Sequence, residues 1–262
     1  MKETLLSALR ISGKTLLEYF SKPVEIKQKE SQSSIVTEAD FASDAVITKI
    51  IREKFPEHNM ISEETGFEDR NSEYTWVIDP LDGTSNFASG IPWFGVLISV
   101  FRNNVPVMGG AYLPVSDLLY FAEKGKGALK NDVPLNMVMN KELKNSLIAF
   151  SVDYTDDEAF LNKAIKIYKY IIKGSRNIRS TNSVVDFIYV AEGKLGGCIN
   201  LYTKVWDICG LGLIIKEAGG IMKDIYGNDI HFSITKDIMV TNFPVVAGSR
   251  EIVEALKKAL VE

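Results

Sequence analysis

Two aspartates three residues apart, Asp79 and Asp82, stand inside the run Trp76-Val77-Ile78-Asp79-Pro80-Leu81-Asp82-Gly83-Thr84-Ser85-Asn86-Phe87. An apolar segment delivers two carboxylates into a turn that Pro80 stiffens and Gly83 loosens, with the backbone carbonyl of Leu81 between them. Hard divalent cations such as Mg²⁺ take oxygen ligands, and this segment is rich in them. After Gly83, Thr84-Ser85-Asn86 can open a helix whose first N–H groups and dipole favour an anion. A cation site followed directly by an anion cradle suits phosphoryl chemistry. A lone Asp-x-x-Asp-Gly is more often a surface turn. The complete twelve-residue run carries the chemical reading.

Two acidic sites elsewhere gain meaning from that run. Ser62-Glu63-Glu64 follows an apolar segment, and because adjacent carboxylates repel, one is expected to point inward and the other outward. Asp207 opens an apolar helix, Trp206-Asp207-Ile208-Cys209-Gly210-Leu211-Gly212, that runs into Glu217-Ala218-Gly219-Gly220. Taken singly, the glutamates read as a solvated turn and Asp207 as a helix acid stabilised by the dipole.

The elements that must position these residues follow from periodicity. Leu5, Leu6, Leu9, Leu16, Leu17 and Phe20 recur at helical spacing, and Lys22-Pro23 breaks the pattern. A polar loop is expected from Gln28 to Ser34, then a helix capped by Thr37-Glu38-Ala39-Asp40 with Phe41, Ala45, Ile50 and Ile51 near one face. Short strands are expected at Ile61 and Trp76 to Ile78. An antiparallel meander follows over Gly95 to Phe101, Val105 to Leu113 and Leu118 to Ala122. From about residue 145 strands and helices interleave. Strands are expected at 147–151, 196–200, 221–225 and 245–247, and helices at 157–173, 183–192, 206–218 and from 249. Two lobes, residues 1–145 and 146–262, are expected to pack as one unit with the site between them.

The 262 residues carry a net charge of −4, with 46% hydrophobic and 24% charged residues, a composition suited to a self-supporting core. The two cysteines, Cys198 and Cys209, read as core thiols of a reducing compartment. The apolar runs are far short of the ~20 residues of a membrane span, and the N-terminus lacks a signal-peptide core, so the chain is expected in the cytoplasm and off membranes. No long basic run supports nucleic acid as the main ligand. Lys163, Lys166, Lys169 and Lys173 read as a solvated helix face, Gly125-Lys126-Gly127 as a turn, and His58 and His231 as surface or interface residues.

The sequence resembles the inositol monophosphatase family of metal-dependent phosphatases, which includes fructose-1,6-bisphosphatases and phosphoadenosine-phosphate phosphatases. Ser34-Ile35-Val36-Thr37-Glu38-Ala39-Asp40 is similar to the family's (S/D)xVTxxD segment, Ser62-Glu63-Glu64 to its GEE segment, Trp76 to Phe87 to WxIDPxDGTxNF, and Trp206 to Gly220 to WDxAxGxxxxxEAGG. The order and spacing agree along essentially the whole chain. The resemblance implies an α+β fold layered αβαβα, a homodimer, and hydrolysis of a small phosphate ester by Mg²⁺-activated water. It implies that Glu63, Asp79 and the Leu81 carbonyl hold one ion, that Asp79, Asp82 and Asp207 hold a second, and that a third, weaker ion sits near Glu63. Thr84 with Glu63 would orient the water, and Asp40 would assist through hydrogen bonds. Gly83, Thr84 and Ser85 would bind the phosphate, and the loop bearing Lys29 would close over the site.

The chain departs from the family where inositol-processing members read their substrate. Arg179-Ser180-Thr181-Asn182-Ser183-Val184-Val185 replaces their Gly-Ser/Thr-Ala-Ala segment, and Asn200 replaces a hydroxyl-binding Glu. Ser183, Asn200 and Lys204 are therefore the candidate substrate residues. With Arg176 and Arg179, Lys204 leads to the expectation of a second anionic group on the substrate, as in a sugar or nucleotide bisphosphate.

Overall fold

The computed structural model describes residues 1–20, 22, 25–29, 31–138 and 142–261, with the last three of these as backbone only. The first half runs α1 (Lys2–Phe20), β1 (Ile26–Gln28), β2 (Ile35–Thr37), α2 (Glu38–Lys54), β3 (Asn59–Ser62), β4 (Gly66–Glu68), β5 (Tyr74–Asp82), α3 (Thr84–Ala88), β6 (Gly95–Arg102), β7 (Val105–Leu113), β8 (Leu118–Glu123), β9 (Ala128–Lys130) and β10 (Val133–Leu135). The second runs β11 (Leu147–Ser151), α4 (Glu158–Gly174), β12 (Asn177–Arg179), α5 (Val184–Ala191), β13 (Gly197–Asn200), α6 (Val205–Glu217), β14 (Ile221–Asp224), β15 (Val245–Gly248) and α7 (Arg250–Val261).

Eight strands form one sheet in the order β10-β9-β8-β7-β6-β5-β3-β4. The meander makes it antiparallel, but β3 and β5 run parallel, so the ends of both strands meet at one edge of the site. A five-stranded sheet has the order β12-β11-β13-β15-β14, with β11 parallel to β12 and β13 while β15 is antiparallel to both its neighbours. The second half is thus mixed rather than a plain βαβ repeat. β1 and β2 form a separate hairpin, so Gln28 is strand rather than loop. Residues 23 and 30, within the expected helix break and loop, lie outside the described residues.

Alternation along the strands explains the layers, because successive side chains point to opposite faces. On β6, Val96, Ile98 and Val100 join the core built with α1 and α2, whereas Leu97 joins the core between the sheets. On β13 and β15, Cys198, Val245 and Ala247 face that middle core, and Ile199 and Val246 face α4 and α7. The stack is therefore α1/α2, large sheet, α5/α6, small sheet, α4/α7, the αβαβα arrangement of an α+β fold. No helix among the described residues is long and apolar enough to cross a membrane.

Three local findings bear on the site. A Cβ on Gly109 of β7 would lie 2.7 Å from the Cα and O of Gly210, so α6 rests backbone to backbone on the large sheet. The turn at Gly125-Lys126-Gly127 is indeed a turn, and both glycine N–H groups donate to the carboxylate of Glu217, at 2.9 Å each. His58 is half-buried: its Nδ1 accepts from Trp76 Nε1 at 3.0 Å, and its ring stacks on Phe55 and Tyr74. Burial and the Arg52 charge hold its pKa below the ordinary value.

Helix α2 corrects a second expectation. Phe41 and Ala45 are exposed, and the buried stripe is Asp40, Ser43, Asp44, Ile47 and Ile51. The first turns of the helix lie against the acidic loops, so the face turned inward there is polar.

Candidate active site

Strand β5 breaks register between Asp79 and Asp82. Pro80 has no N–H to give a ladder, and the extra residues bend the strand end so that both aspartates face one way. Leu81 N–H donates to Asp79 Oδ1 at 3.0 Å, and Val184 N–H at the start of α5 donates to Asp82 Oδ1. Asp207, in the first turn of α6, accepts from Lys204 N–H at 2.6 Å. One ligand oxygen from each of Asp79, Asp82 and Asp207 lies within 4.8 Å of the others.

These carboxyls are strongly perturbed. Burial raises Asp79 well above its ordinary range, helped by the charges of Glu63, Asp82 and Asp207. Burial also raises Asp82 to about 7, against the Val184 hydrogen bond and with help from Glu63. Asp207 is raised well above the ordinary range by burial and then by Asp82. One buried and two half-buried carboxylates that repel one another are favoured as anions by a cation between them, so the donor set fits a hard divalent ion.

Glu63 continues from β3, its N–H donating to Ile78 O at 3.2 Å. Neither member of the glutamate pair points outward as expected. Lys29 Nζ bonds Glu63 Oε1 at 2.9 Å and Glu64 Oε1 at 2.5 Å. Burial raises Glu64 to about 7 in spite of Lys29, and the two carboxylates outweigh burial at Lys29, raising its pKa. The residue preceding the pair is anchored too, because Ser62 Oγ donates to the buried Asp44 of α2.

Gly83 caps α3 with φ of 87°, where an L side chain is strained, and an added Cβ would meet Trp93 O at 2.6 Å. The first N–H groups of a helix have no partner within it, and in α3 they belong to Thr84, Ser85 and Asn86. Thr84 Oγ1 has two acceptors in reach, Leu81 O at 3.0 Å and Asp40 Oδ1 at 3.1 Å. Asp40 Oδ2 accepts from the N–H and hydroxyl of Thr37 at 2.8 and 2.7 Å, yet burial still raises its pKa. Ser43 Oγ donates to Pro80 O at 2.6 Å, and Ser12 Oγ lies 2.6 Å from Ser43.

Asp79, Leu81, Asp82, Gly83, Thr84, Asp40 and Asp207 come together as the sequence suggests, with Glu63 and Lys29 beside them. Ser183 packs against Gly83, where an added Cβ would lie 3.1 Å from its side chain. The expected cationic residues do not join them. Lys204 Nζ donates to Val240 O at 3.0 Å and lies over the Tyr202 ring, since an exposed lysine stem packs most readily on its neighbours. Arg176 and Arg179 line the groove between α4 and β12, and Arg179 donates to Ile178 O. Asn200 turns its Oδ1 to Tyr202 N–H at 3.0 Å. Sequence reasoning missed Ser43 and Asp44, which the stripe Asp40, Ser43, Asp44, Ile47 would have disclosed had polar residues been allowed on a buried face. It also missed Asp153 and Asp186, for which the pattern held no signal.

Comparison with known proteins agrees with this geometry. The chain is 31% identical over 261 residues to a Haemophilus influenzae protein named Nus factor SuhB, covering 98% of this chain and 95% of that one. It is 35% identical over 214 residues to an Aquifex aeolicus fructose-1,6-bisphosphatase/inositol-1-monophosphatase, covering 80% of each. The crystal structure of extragenic suppressor protein suhB from Bartonella henselae superposes with a TM-score of 0.89 at 25% identity, covering 99% of this chain and 97% of that one. With a family model that matches residues 1–262 throughout, the chain belongs to the inositol monophosphatase family.

Proposed function

We propose that the chain is a Mg²⁺-dependent phosphomonoesterase that hydrolyses a small phosphorylated metabolite. The observation that carries this is the cluster of Asp79, Asp82 and Asp207, one buried and two half-buried, beside the Thr84–Asp40 pair. Glu63, Asp79, the Leu81 carbonyl, Asp82 and Asp207 are the residues that would hold two or three Mg²⁺ ions. When bound, the metal supplies Lewis acidity to the phosphoryl oxygens and a more acidic water for in-line attack.

The protein's own groups do the rest. The N–H groups at Gly83, Thr84 and Ser85 seat the phosphate, which the left-handed Gly83 permits by clearing a side chain from the turn. Thr84 has a single hydroxyl proton. By giving it to Asp40 rather than to Leu81 O, it turns its lone pairs outward to orient a water near Glu63. Asp40, fixed by Thr37, accepts that proton without leaving its place. Lys29 screens the Glu63–Glu64 pair from the hairpin side.

The family offers fructose-1,6-bisphosphatase and 3′(2′),5′-bisphosphate nucleotidase as alternatives to inositol monophosphatase, and a non-catalytic metal and phosphate sensor as a rival. Phosphate release from a panel of esters, with and without Mg²⁺, tests the reading. Mg²⁺-dependent release supports it, and none from any ester removes it. A cytoplasmic homodimer fits the family. A second role, of the kind named for the Nus factor SuhB relatives, is favoured by one feature: residues 159–185 carry Lys163, Lys166, Lys169, Lys173, Arg176 and Arg179 and no acid. That concentration on α4 and β12 suits an anionic partner, and it qualifies the expectation that nucleic acid plays no part.

A further inference from the structure

Asp186 stands in the first turn of α5, 3% exposed, three residues after the N-cap Ser183. An acid at that position commonly reaches back to the N–H of the cap residue itself. Here the carboxylate reaches past the cap. Its Oδ2 accepts from the N–H of Thr181 at 3.2 Å, from the N–H of Asn182 at 3.1 Å and from Ser151 Oγ at 3.2 Å. The side chain of Thr181 bonds the carboxylate as well. Successive N–H groups that converge on one anion form a nest, a geometry that needs a left-handed residue, and Asn182 supplies it with φ of 48°.

The segment held in this way touches the acidic turn of β5 and α3 in three places. Val184 N–H donates to Asp82 Oδ1. Ser183 packs against Gly83, and Thr181 O accepts from Asn86 Nδ2 of α3 at 2.8 Å. The candidate cation ligand Asp82 and the phosphate turn at Gly83 and α3 therefore lean on the same four residues, 181–184. Those residues are anchored in turn to the small sheet. Ser151 ends β11, and Asp153, two residues beyond it, accepts from Asn182 Nδ2 at 2.8 Å. The charge of Asp186 is felt directly by Asp82. No step of the proposed chemistry uses Asp186.

We propose that Asp186 is a positioning residue for both halves of the site: by pinning residues 181–184 to the small sheet, it sets Asp82 for the cation and α3 for the phosphate. This rests on the phosphomonoesterase reading and adds to it how the two ligand seats are kept in register. An ionised carboxylate accepts from several N–H groups at once, whereas an amide has one accepting oxygen and turns two N–H groups of its own toward the donors. Groups that orient the ligands of a metal commonly govern its affinity by about tenfold to a hundredfold.

The test reads the two seats separately on the full chain, by calorimetric titration of Mg²⁺ alone and then of inorganic phosphate at saturating Mg²⁺. Asp186→Asn should weaken both by about tenfold. Thr181→Val removes one hydroxyl and keeps the backbone donor, so it should weaken both by about threefold, and it decides the matter if Asp186→Asn folds poorly. Asn86→Ala cuts only the arm to α3 and should weaken phosphate while leaving Mg²⁺ affinity unchanged. In release from p-nitrophenyl phosphate at saturating Mg²⁺, Asp186→Asn should raise KM more than it lowers kcat, a split that a mere loss of folded protein does not produce. Variants that melt lower yet bind both ligands as the native chain does, or an Asn86→Ala chain that loses both alike, would overturn the proposal. A native chain that binds Mg²⁺ but releases no phosphate would remove the enzyme reading alone, and one that binds no Mg²⁺ would remove both.

Discussion

Each aspartate of the acidic cluster is held by one backbone N–H, from Leu81, Val184 or Lys204. These bonds favour the anion but do not offset burial and mutual repulsion, which hold all three carboxyls above their ordinary pKa range. Asp79→Asn, Asp82→Asn and Asp207→Asn should each reduce Mg²⁺-dependent phosphate release at least about 100-fold, a loss of ~3 kcal/mol or more in the transition state. In chelator the same variants should melt higher than the native chain, by roughly 2–4 °C for each kcal/mol of repulsion removed. A variant with near-native turnover at saturating Mg²⁺ would remove that residue from the ligand set. Asp79 and Asp82 were legible because the run from Trp76 to Phe87 joins them in one contiguous pattern, and Asp207 because it opens the separate Trp206 to Gly220 segment. Asp44 and Ser43 were not, because a polar residue on a helix reads as solvent-facing until something is known of what the helix touches.

Helix α6 brings Asp207 to the large sheet through the glycine crossing at Gly109 and Gly210. Gly109→Ala places a methyl against the Gly210 backbone, which cannot move aside as a flexible side chain could. It should cost about 1–3 kcal/mol by denaturant melting and also weaken Mg²⁺ binding, because the helix that carries Asp207 must shift. At the other end of the middle layer, Glu192 follows α5 with its side chain 5% exposed, accepting from Tyr120 Oη at 2.7 Å and pairing with Lys130 and Lys194. Burial alone would raise its pKa, but the hydrogen bonds from Lys130, Lys194 and Tyr120 prevail and hold it below the ordinary 4.5. A depressed carboxyl contributes stability above about pH 4.5 and loses it as pH falls through the folded value. Glu192→Gln should therefore destabilise near neutrality by about 1–3 kcal/mol and flatten the acid limb of a melting-temperature profile below pH 4.5. An unchanged acid limb would show that the cluster does not couple to pH.

Candidate ligands Glu63, Asp79 and Asp82 come from the large sheet's strand ends, and Asp207 comes from a helix that follows the small sheet. An ion shared among them ties the two sheets, so millimolar Mg²⁺ should raise a single calorimetric transition, by ~2.7 kcal/mol at a hundredfold excess over Kd. Two transitions, only one of which moves, would show that the sheets unfold apart. The meander and the alternating second half were readable because hydrophobic period and turn residues are local. The parallel pairing of β3 with β5 and the antiparallel insertion of β15 between β13 and β14 were not. Strand order depends on which faces the helices cover, and a linear pattern carries no record of that.

The hydroxyls of Ser12 and Ser43 and the carbonyl of Pro80 form a chain with a polarity. A carbonyl only accepts, so Ser43 must spend its proton on Pro80, and Ser12 must then be the donor to Ser43. The ends are not equivalent. Ser12→Ala leaves the Pro80 carbonyl satisfied, whereas Ser43→Ala strips the donor from the acidic turn of β5 and leaves its oxygen buried. Equal truncations should thus have unequal effects: Ser43→Ala should cost about 1–3 kcal/mol and loosen Mg²⁺ binding, and Ser12→Ala should cost less and leave the ion's affinity alone. Matching losses in both variants would mean that the chain has no direction, and that α1 touches the site only through packing.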